Sequence, residues 1–428
     1  MDLLKSIFKG DKVIWIIFLM LCLISIVEVF SASSTLVYKS GDHWGPITKH
    51  CVFLMVGTAV VVLFHNIPYK WFQLFPVLLL PASAVMLVAV MFMGRIHNAA
   101  RWIEIAGITF QPSEFAKMAI IIVTAFILSK GQTDKGANPK AFKHIMLITG
   151  FICLLIFPEN FSTAALLFGV VYLMMFIGRV AISKLALLGG GLVGVAVAAV
   201  VFLEVTKGMD VEFLHRFDTW RARIEKFVNN KEVPAAKFDI DRDGQVGHAR
   251  IAVATSNVLG KGPGNSVQRD FLSQAYSDFI FAIVIEELGL VGGGFVVFLY
   301  ILLLVRAGKI AKKCDRTFPA FLVLGIGLLL VTQALFNMMV AVGLAPVTGQ
   351  PLPLVSRGGT STIINCVYIG MLLSVSRYTA KLEEQKLHDA MIPMTVETGV
   401  PDTPVFESQA QTAVEPTAQS LNNDEEFN

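Results

Sequence analysis

The chain has 428 residues, of which 55% are hydrophobic and 16% are charged, whereas roughly 25% of the residues of an average soluble protein are charged. This composition excludes an ordinary soluble domain, because the excess of apolar residues has to face lipid. The formal net charge is +3 and the basic residues are dispersed among loops, so nucleic acid is excluded as a partner. The five cysteines lie in or beside apolar runs without a CxxC spacing, and we interpret them as small core residues.

Apolar runs of close to twenty residues recur along most of the chain. A helix of that length matches the roughly 30 Å hydrocarbon core of a bilayer. We therefore predict an all-α polytopic membrane protein with about ten transmembrane helices. The predicted spans are residues 13–32, 51–66, 72–94, 113–129, 143–157, 162–179, 185–204, 278–305, 319–343 and 361–376.

The distribution of basic residues predicts the orientation of these spans. One set of connections and flanks carries eighteen lysines and arginines, and the opposite short loops carry five. By the positive-inside rule the first set is cytoplasmic. Because the number of spans is even, both termini are predicted to lie in the cytoplasm.

Two segments are predicted to lie outside the bilayer. Residues 205–277 form a large extracytoplasmic loop between the seventh and eighth spans, within a membrane domain of residues 1–378. Residues 379–428 carry ten acidic residues against two lysines, which predicts a cytoplasmic and mostly disordered tail. In the loop, Asp239–Gly244 copies the start of an EF-hand, but Arg250 stands where the bidentate glutamate is required. We predict a polar turn there instead of a calcium site.

Charged residues stand at the start of the fourth predicted span. Glu114 and Lys117 are three residues apart, so they share one face of a helix. They form either an ion pair that anchors the helix end or a polar wall for an anionic headgroup. Arg101 precedes them on the same side and can bind a phosphate with two hydrogen bonds.

Three acids stand where the long loop enters the eighth predicted span: Asp278, Glu286 and Glu287. Ionisable groups at membrane depth cost several kcal/mol unless they are paired or hydrated, so each is a functional candidate. Asp278 is either the N-cap of the helix or a general base at the membrane surface.

A segment rich in proline and glycine, residues 343–361, precedes the last span. Irregular backbone near membrane depth is tolerated where it is buried in protein or lines a hydrated cavity. The segment is either a re-entrant structural loop or a phosphate site formed by free amides and Arg357.

Together these motifs resemble the SEDS family (shape, elongation, division and sporulation), the FtsW and RodA proteins of bacterial cell-wall synthesis. The resemblance covers roughly residues 13–378. It rests on Ala100–Ile103, Gln111–Glu114 with Lys117, Gln245 with Gly260–Gly262, Asp278–Ala282 with Glu286–Gly289, and Gly343–Gly349 with Leu352 and Pro353. This chain reads Pro158-Glu159-Asn160-Phe161-Ser162-Thr163 and Ser356-Arg357-Gly358-Gly359-Thr360 where the family usually has Pro-Asp-Phe-Gly-Thr and Ser-Tyr-Gly-Gly-Ser. The Arg-Gly-Gly form and the long tail are more similar to the division branch, FtsW.

The resemblance implies a peptidoglycan glycosyltransferase that polymerises lipid II, the undecaprenyl-linked disaccharide peptide, on the outer face of the bacterial cytoplasmic (inner) membrane. It implies that Asp278 is the essential acid and general base, and that the reaction inverts the anomeric centre. The residues expected to bind substrate are Arg101, Glu114, Lys117, Gln245, Lys261, Glu286, Ser356 and Arg357.

The same resemblance implies the cofactors and partners. No tightly held cofactor and no protein metal site are expected, and a divalent cation, Mg²⁺ or Mn²⁺, is the one candidate. The expected partners are a class B penicillin-binding protein, which is a transpeptidase, and other division proteins at the septum. Two other functions fit the same motifs: a lipid II flippase and a noncatalytic scaffold for division proteins.

Overall fold

The computed structural model describes residues 9–33, 44–92, 103–105, 108–134, 136–158, 160–205, 240–272 and 275–391. Within these residues the fold is helical. The helices are α1 (Lys12–Ala32), α2 (Gly45–Asn66), α3 (Phe75–Phe92), α4 (Pro112–Lys130), α5 (Pro139–Ile156), α6 (Phe161–Ile177), α7 (Ile182–Val205), α8 (Ile240–Ala254), α9 (Ile280–Lys313), α10 (Thr317–Ala341) and α11 (Thr360–Met391).

The ten predicted spans fall on α1 to α7 and α9 to α11. Eight of these helices are long and apolar enough to cross a bilayer; α6 is a shorter apolar helix, and in α7 the segment Ile182–Val195 is a shorter apolar stretch. The predicted fold class, an all-α polytopic membrane protein, is therefore confirmed. A short 3-10 helix (Tyr69–Gln73) joins α2 to α3. Two hairpins, β1 (Ile103–Ile105) with β2 (Ile108–Phe110) and β3 (Gln132–Thr133) with β4 (Gly136–Ala137), flank α4.

Helix ends are fixed by capping residues that the sequence supplies. The Asp11 carboxylate accepts hydrogen bonds from the backbone amides of Val13 (2.8 Å) and Ile14 (3.3 Å) at the start of α1. Its other oxygen accepts from Nε of Arg306 at 2.9 Å, which ties this end to α9. Asn138 caps α5, where Pro139 occupies the first helical position.

The interior of the bundle is built on α4 and α10. Helix α10 packs against α9, α4 and α6, and α4 also packs against α3 and α5. Most side chains of α4 and α10 are buried, whereas only a minority of those of α3 and α5 are. Polar residues on α4 and α10 therefore face protein and can build a site. The compact unit runs to Glu384, and from Gln385 on the described residues continue α11 to Met391.

The long connection before α9 contains helix α8 and a 3-10 turn (Gln268–Asp270). The prediction of a polar turn at Asp239–Gly244 is wrong from Ile240 onward, because α8 begins there. Residues 206–239, which include Asp239, and the tail from residue 392 lie outside the described residues.

Helix α9 is broken at Gly289, whose φ is 71° and ψ −173°. Backbone groups of the loop before the helix form hydrogen bonds at this break. The backbone amides of Lys261 and Gly262 donate to the carbonyls of Glu286 (3.0 Å) and Glu287 (2.8 Å). The break therefore joins the long connection to the start of α9, where the predicted acids stand.

Two glycines are required at this junction. A Cβ on Gly289 would lie 2.3 Å from the carbonyl oxygen of Val258, and a Cβ on Gly260 would lie 2.2 Å from that of Glu287. Both glycines also have positive φ. The close approach of the two backbones thus depends on the absence of side chains at both positions.

We expect Gly289→Ala to destabilise the fold by about 1–3 kcal/mol or more, because its backbone conformation is almost confined to glycine and the methyl group has no room. Gly294→Ala is the matched control, since Gly294 lies in the same helix with open space where a Cβ would be. Its substitution should be neutral or stabilising by up to about 1 kcal/mol. Thermal melting of the purified protein in detergent checks both, and equal melting temperatures for the two variants would contradict the prediction.

Candidate active site

Asp278 lies at the junction between the long connection and α9. The helix begins at Ile280 with Phe279 as N-cap, and no side chain caps it. Asp278 therefore precedes the cap, and the N-cap explanation of this acid does not fit the geometry. The half-buried carboxylate accepts a hydrogen bond from the Ser277 hydroxyl at 3.0 Å.

The backbone around Asp278 is bonded to the segment before α11. Nδ2 of Asn337 donates to the carbonyl of Asp278 (3.0 Å) and to that of Gln350 (2.8 Å). The Ser356 hydroxyl donates to the Ser277 carbonyl at 2.6 Å. These bonds fix Asp278 relative to a non-helical segment that we call the clamped loop (Gln350–Arg357).

The clamped loop also carries a cation. The backbone amide of Arg357 donates to the Tyr276 carbonyl at 2.9 Å, and its guanidinium lies 5.5 Å from the centre of the Tyr276 ring. Burial lowers the pKa of Arg357, but a guanidinium stays charged at neutral pH. Ser356 is buried, and its hydroxyl accepts from the Leu352 amide at 2.8 Å while it donates to Ser277. Ser356 therefore connects the clamped loop to the segment that carries Ser277, and Arg357 is the cation of the loop.

The Glu114–Lys117 pair predicted from their spacing is present. Nζ of Lys117 lies 2.7 Å from Oε1 of Glu114, and the two side chains are 0% and 1% exposed. The same Nζ donates to Oε1 of Gln333 at 2.9 Å, and Nε2 of Gln333 donates to the Pro351 carbonyl at 3.0 Å. The ion pair is therefore connected to the clamped loop through one amide side chain.

Glu286 is fully buried and its carboxylate is occupied by the chain itself. It lies 2.6 Å from Nζ of Lys261. It also accepts from the Ser266 hydroxyl and from the backbone amides of Val267 (3.2 Å) and Gln268 (3.3 Å). The structure thus brings two predicted substrate-binding residues, Glu286 and Lys261, together as partners of each other.

Glu287 organises the same connection from the next position. Its carboxylate accepts from the backbone amides of Gly264 (2.8 Å) and Ser266 (3.1 Å) and from the hydroxyl of Ser31 on α1. Nη1 of Arg269 donates to the Ser31 hydroxyl at 2.8 Å. The two adjacent acids therefore bind loop amides, which joins the connection to α1 and α9.

Three other residues named in the sequence analysis lie away from these contacts or outside the described residues. Gln245 is half-buried on α8. Arg101 lies outside the described residues, so its role stays a prediction. Asn160, to which the sequence assigned no role, caps α6 through a bond from the Thr163 amide at 3.1 Å. The Thr163 hydroxyl in turn accepts from Nε2 of Gln350 at 2.6 Å, which ties α6 to the clamped loop.

Sequence reasoning missed the amides of α10. Gln333 and Asn337 are buried, stand four residues apart on one face and bind carbonyls of the clamped loop. Two amide side chains in an otherwise apolar span were the signal that could have identified them.

Comparison with known proteins identifies the family. Residues 11–381 match the FtsW/RodA/SpoVE model, which is described as "Cell cycle protein". The chain belongs to this family. A chain from a solved structure described as "Structural coordination of polymerization and crosslinking by a peptidoglycan synthase complex" has a TM-score of 0.68 and 22% identity, over 87% of this chain and 99% of that chain. At that identity the match shows the shared fold.

Two curated relatives carry the name "Probable peptidoglycan glycosyltransferase FtsW". The relative from Trichlorobacter lovleyi is 31% identical over 86% of this chain and 93% of its own length. The relative from Halomonas elongata is 33% identical over 86% of this chain and 90% of its own length. The resemblance to the SEDS family, and to its FtsW branch, is confirmed, and this FtsW-like chain is a multi-pass membrane protein.

We expect Lys117→Met or Glu114→Gln alone to cost more stability than both together, because each single change leaves a buried group without its partner, a loss that typically costs about 3–5 kcal/mol. The exposed pair Lys313–Glu383, with a 2.8 Å separation, is the matched control. Its loss should cost about 1 kcal/mol or less. Melting temperatures of the single and double variants test this, and additive losses at Glu114 and Lys117 would contradict a coupled pair.

Proposed function

We propose that this chain is a peptidoglycan glycosyltransferase that polymerises lipid II into glycan strands during cell division, with Asp278 as general base. The observation that carries the proposal is the position of Asp278. The carbonyls of Tyr276 and Ser277, just before it, accept from the clamped loop that carries Arg357, and its own carbonyl shares the Asn337 donor with Gln350 of that loop. A base and a cation are thus held together at one end of the helical bundle. The names of the curated relatives support the same activity.

The orientation of the helices would put this site outside the cytoplasm. Helices alternate in direction through the bilayer, so the starts of α4 and α9 and the end of α10 lie on one side. The charge asymmetry of the loops favours the extracytoplasmic side for it. Lipid-linked sugars exposed on the outer face of the bacterial cytoplasmic membrane would then meet Asp278 directly.

The proposed reaction is a direct displacement. The 4-hydroxyl of the acceptor sugar loses its proton to the Asp278 carboxylate and attacks the anomeric carbon of the donor. The bond from that carbon to the pyrophosphate oxygen breaks, and undecaprenyl pyrophosphate leaves with the electron pair. One displacement inverts the anomeric centre without a covalent enzyme intermediate.

The cations divide into two roles in this proposal. Arg357 would offset the charge that develops on the leaving pyrophosphate, because its backbone is bonded to Tyr276 and its guanidinium lies over the ring of Tyr276, which is close to Asp278 in sequence. Lys117 is fully buried against Glu114 and Gln333, so it would act by holding the clamped loop. Arg101 remains a predicted phosphate ligand.

A divalent cation, Mg²⁺ or Mn²⁺, fits this donor set. Within the described residues no three His, Cys, Asp or Glu side chains form a metal-binding group. Mg²⁺ commonly binds one or two carboxylates together with substrate phosphates and water, and Asp278 and the pyrophosphate offer such oxygens. When bound, the ion would supply charge neutralisation at the leaving group.

We also propose a class B penicillin-binding protein as partner, which would crosslink the strands made here, and a location with other division proteins at the septum. The solved synthase complex that shares this fold is described as coordinating polymerization and crosslinking. Division of the two reactions between adjacent chains would keep a new strand close to the crosslinking site.

We expect Asp278→Asn to reduce glycan polymerisation from purified lipid II by about a hundredfold or more, because asparagine keeps the size of the side chain but cannot accept the proton. Asp270→Asn is the matched control. Asp270 is 57% exposed on the same connection, and its substitution should leave the rate within about twofold. The assay uses the chain together with its transpeptidase partner.

Near-normal strand synthesis by a folded Asp278→Asn protein would remove Asp278 from the mechanism. A flippase or a scaffold would give no strand synthesis from purified lipid II even with the unaltered protein, because neither function forms the glycosidic bond. The same assay therefore separates the transferase from both other functions.

The orientation can be tested by cysteine labelling in cells. Val258 on the long connection and Leu387 near the end of α11 are each 63% exposed. A cysteine at Val258 should react with a membrane-impermeant maleimide in intact cells, and one at Leu387 only after permeabilisation. The unsubstituted protein measures labelling of the five native cysteines, and the reverse pattern would invert the proposed topology.

A further inference from the structure

The clamped loop is held by side chains from several helices. The carbonyl groups of four of its residues each accept a hydrogen bond from a buried side chain outside the loop. The pairs are Asn337 to Gln350 (2.8 Å), Gln333 to Pro351 (3.0 Å), Tyr300 to Pro353, and Ser25 to Val355 (2.7 Å). Helices α1, α9 and α10 thus converge on eight residues.

The loop contains one strained residue between two of these bonds. Leu354 has φ 65°, in the left-handed region that branched side chains avoid, and it is buried. Such a conformation costs about 1–3 kcal/mol and persists only where the surroundings over-determine it. The bonds to Pro353 and Val355 on either side of Leu354 supply that constraint.

The hydrogen bond from Ser25 to Val355 is extended by a further residue, His50. The Ser25 hydroxyl oxygen lies 2.8 Å from Nε2 of His50 on α2, and both side chains are buried. The Val355 carbonyl can only accept, so the single hydroxyl proton of Ser25 is used there. Nε2 of His50 must then be the donor to Ser25. His50 therefore donates to Ser25, and Ser25 donates to Val355.

These hydrogen bonds from His50 through Ser25 end, at Val355, next to the proposed catalytic groups. Ser356 and Arg357 follow Val355 directly and bond to the carbonyls of Ser277 and Tyr276, the two residues before Asp278. A movement of Val355 would therefore be transmitted to Arg357 and to the peptide that carries Asp278.

We propose that Ser25 and His50 are positioning residues for the transferase reaction, acting through Val355 on Arg357 and Asp278. The inference rests on the proposed function. A misplacement of about 1 Å at reacting groups can cost about a hundredfold in rate, and loss of one hydrogen bond far from the substrate should leave substrate binding largely intact.

The experiment measures kcat and KM for polymerisation of purified lipid II by the chain with its transpeptidase partner. Ser25→Ala and His50→Leu remove the chain of bonds. Ser25→Thr keeps the hydroxyl, and His50→Gln places an amide donor near the position of Nε2. Ser25→Ala and His50→Leu should lower kcat about tenfold or more with KM changed less than about threefold, and the conservative variants should recover kcat to within about threefold.

Two matched controls lie elsewhere in the same bundle. Ser83 is a buried serine whose hydroxyl donates to the Leu80 carbonyl of its own helix, and His65 is a buried histidine that packs edge-on against Trp15. Ser83→Ala and His65→Leu should keep kcat within about twofold of the unaltered protein. Melting temperatures of Ser25→Ala and His50→Leu should match those of their controls.

Three results would overturn the inference: a kcat for Ser25→Ala and His50→Leu equal to that of the controls, equal losses in the conservative variants, or a loss of rate that only follows loss of folded protein. If the unaltered protein polymerises lipid II and Asp278→Asn does not, such results remove the positioning role alone. Absence of polymerisation by the folded, unaltered complex would remove the proposed function and this inference with it.

Discussion

An unpaired carbonyl group at membrane depth has no water to bind, and this constraint governs the site. The clamped loop (Gln350–Arg357) is not helical; its Leu352 carbonyl accepts from the amides of Val355 and Ser356, but four other carbonyls need donors from outside the loop. Side chains from α1, α9 and α10 satisfy them instead. Because the four donors come from three helices, satisfying the loop also fixes those helices around it. The position of Asp278 follows, since its carbonyl shares the Asn337 donor with Gln350.

The free-energy cost of burying a carboxylate is offset in different ways for the acids near the site, and this difference distinguishes their roles. Glu114 is paired with Lys117, and Glu286 combines Lys261 with loop amides. Each of these carboxylates is stabilised by partners in the protein and is costly to expose to a substrate. Asp278 is half-buried where the long connection meets α9, and its carboxylate accepts a hydrogen bond from the Ser277 hydroxyl. The acids with charged partners hold the scaffold, and the proposed base, Asp278, is the acid that is only half-buried.

The sequence predicted what depends on local spacing and missed what depends on distant contacts. Apolar runs gave the helices, and the three-residue spacing of Glu114 and Lys117 gave their pairing. The break at Gly289 was hidden, because a glycine inside an apolar run has no distinctive pattern and its partner Gly260 lies in another segment. Ser25 bonds a residue 330 positions away. No periodicity within a helix can reveal such a bond.

The depth of the buried charges favours a fixed site at one face over a path through the bilayer. Glu28 is buried near the end of α1, and Glu114 and Lys117 are buried at the start of α4. By the alternation of the helices these positions lie on the same side as Glu286. On the other side the described ion pairs, such as Arg306 with Asp11, stand at helix ends. A translocation route needs polar groups through the intervening depth, whereas a transferase acting on lipid-linked sugars needs them only where the sugars lie.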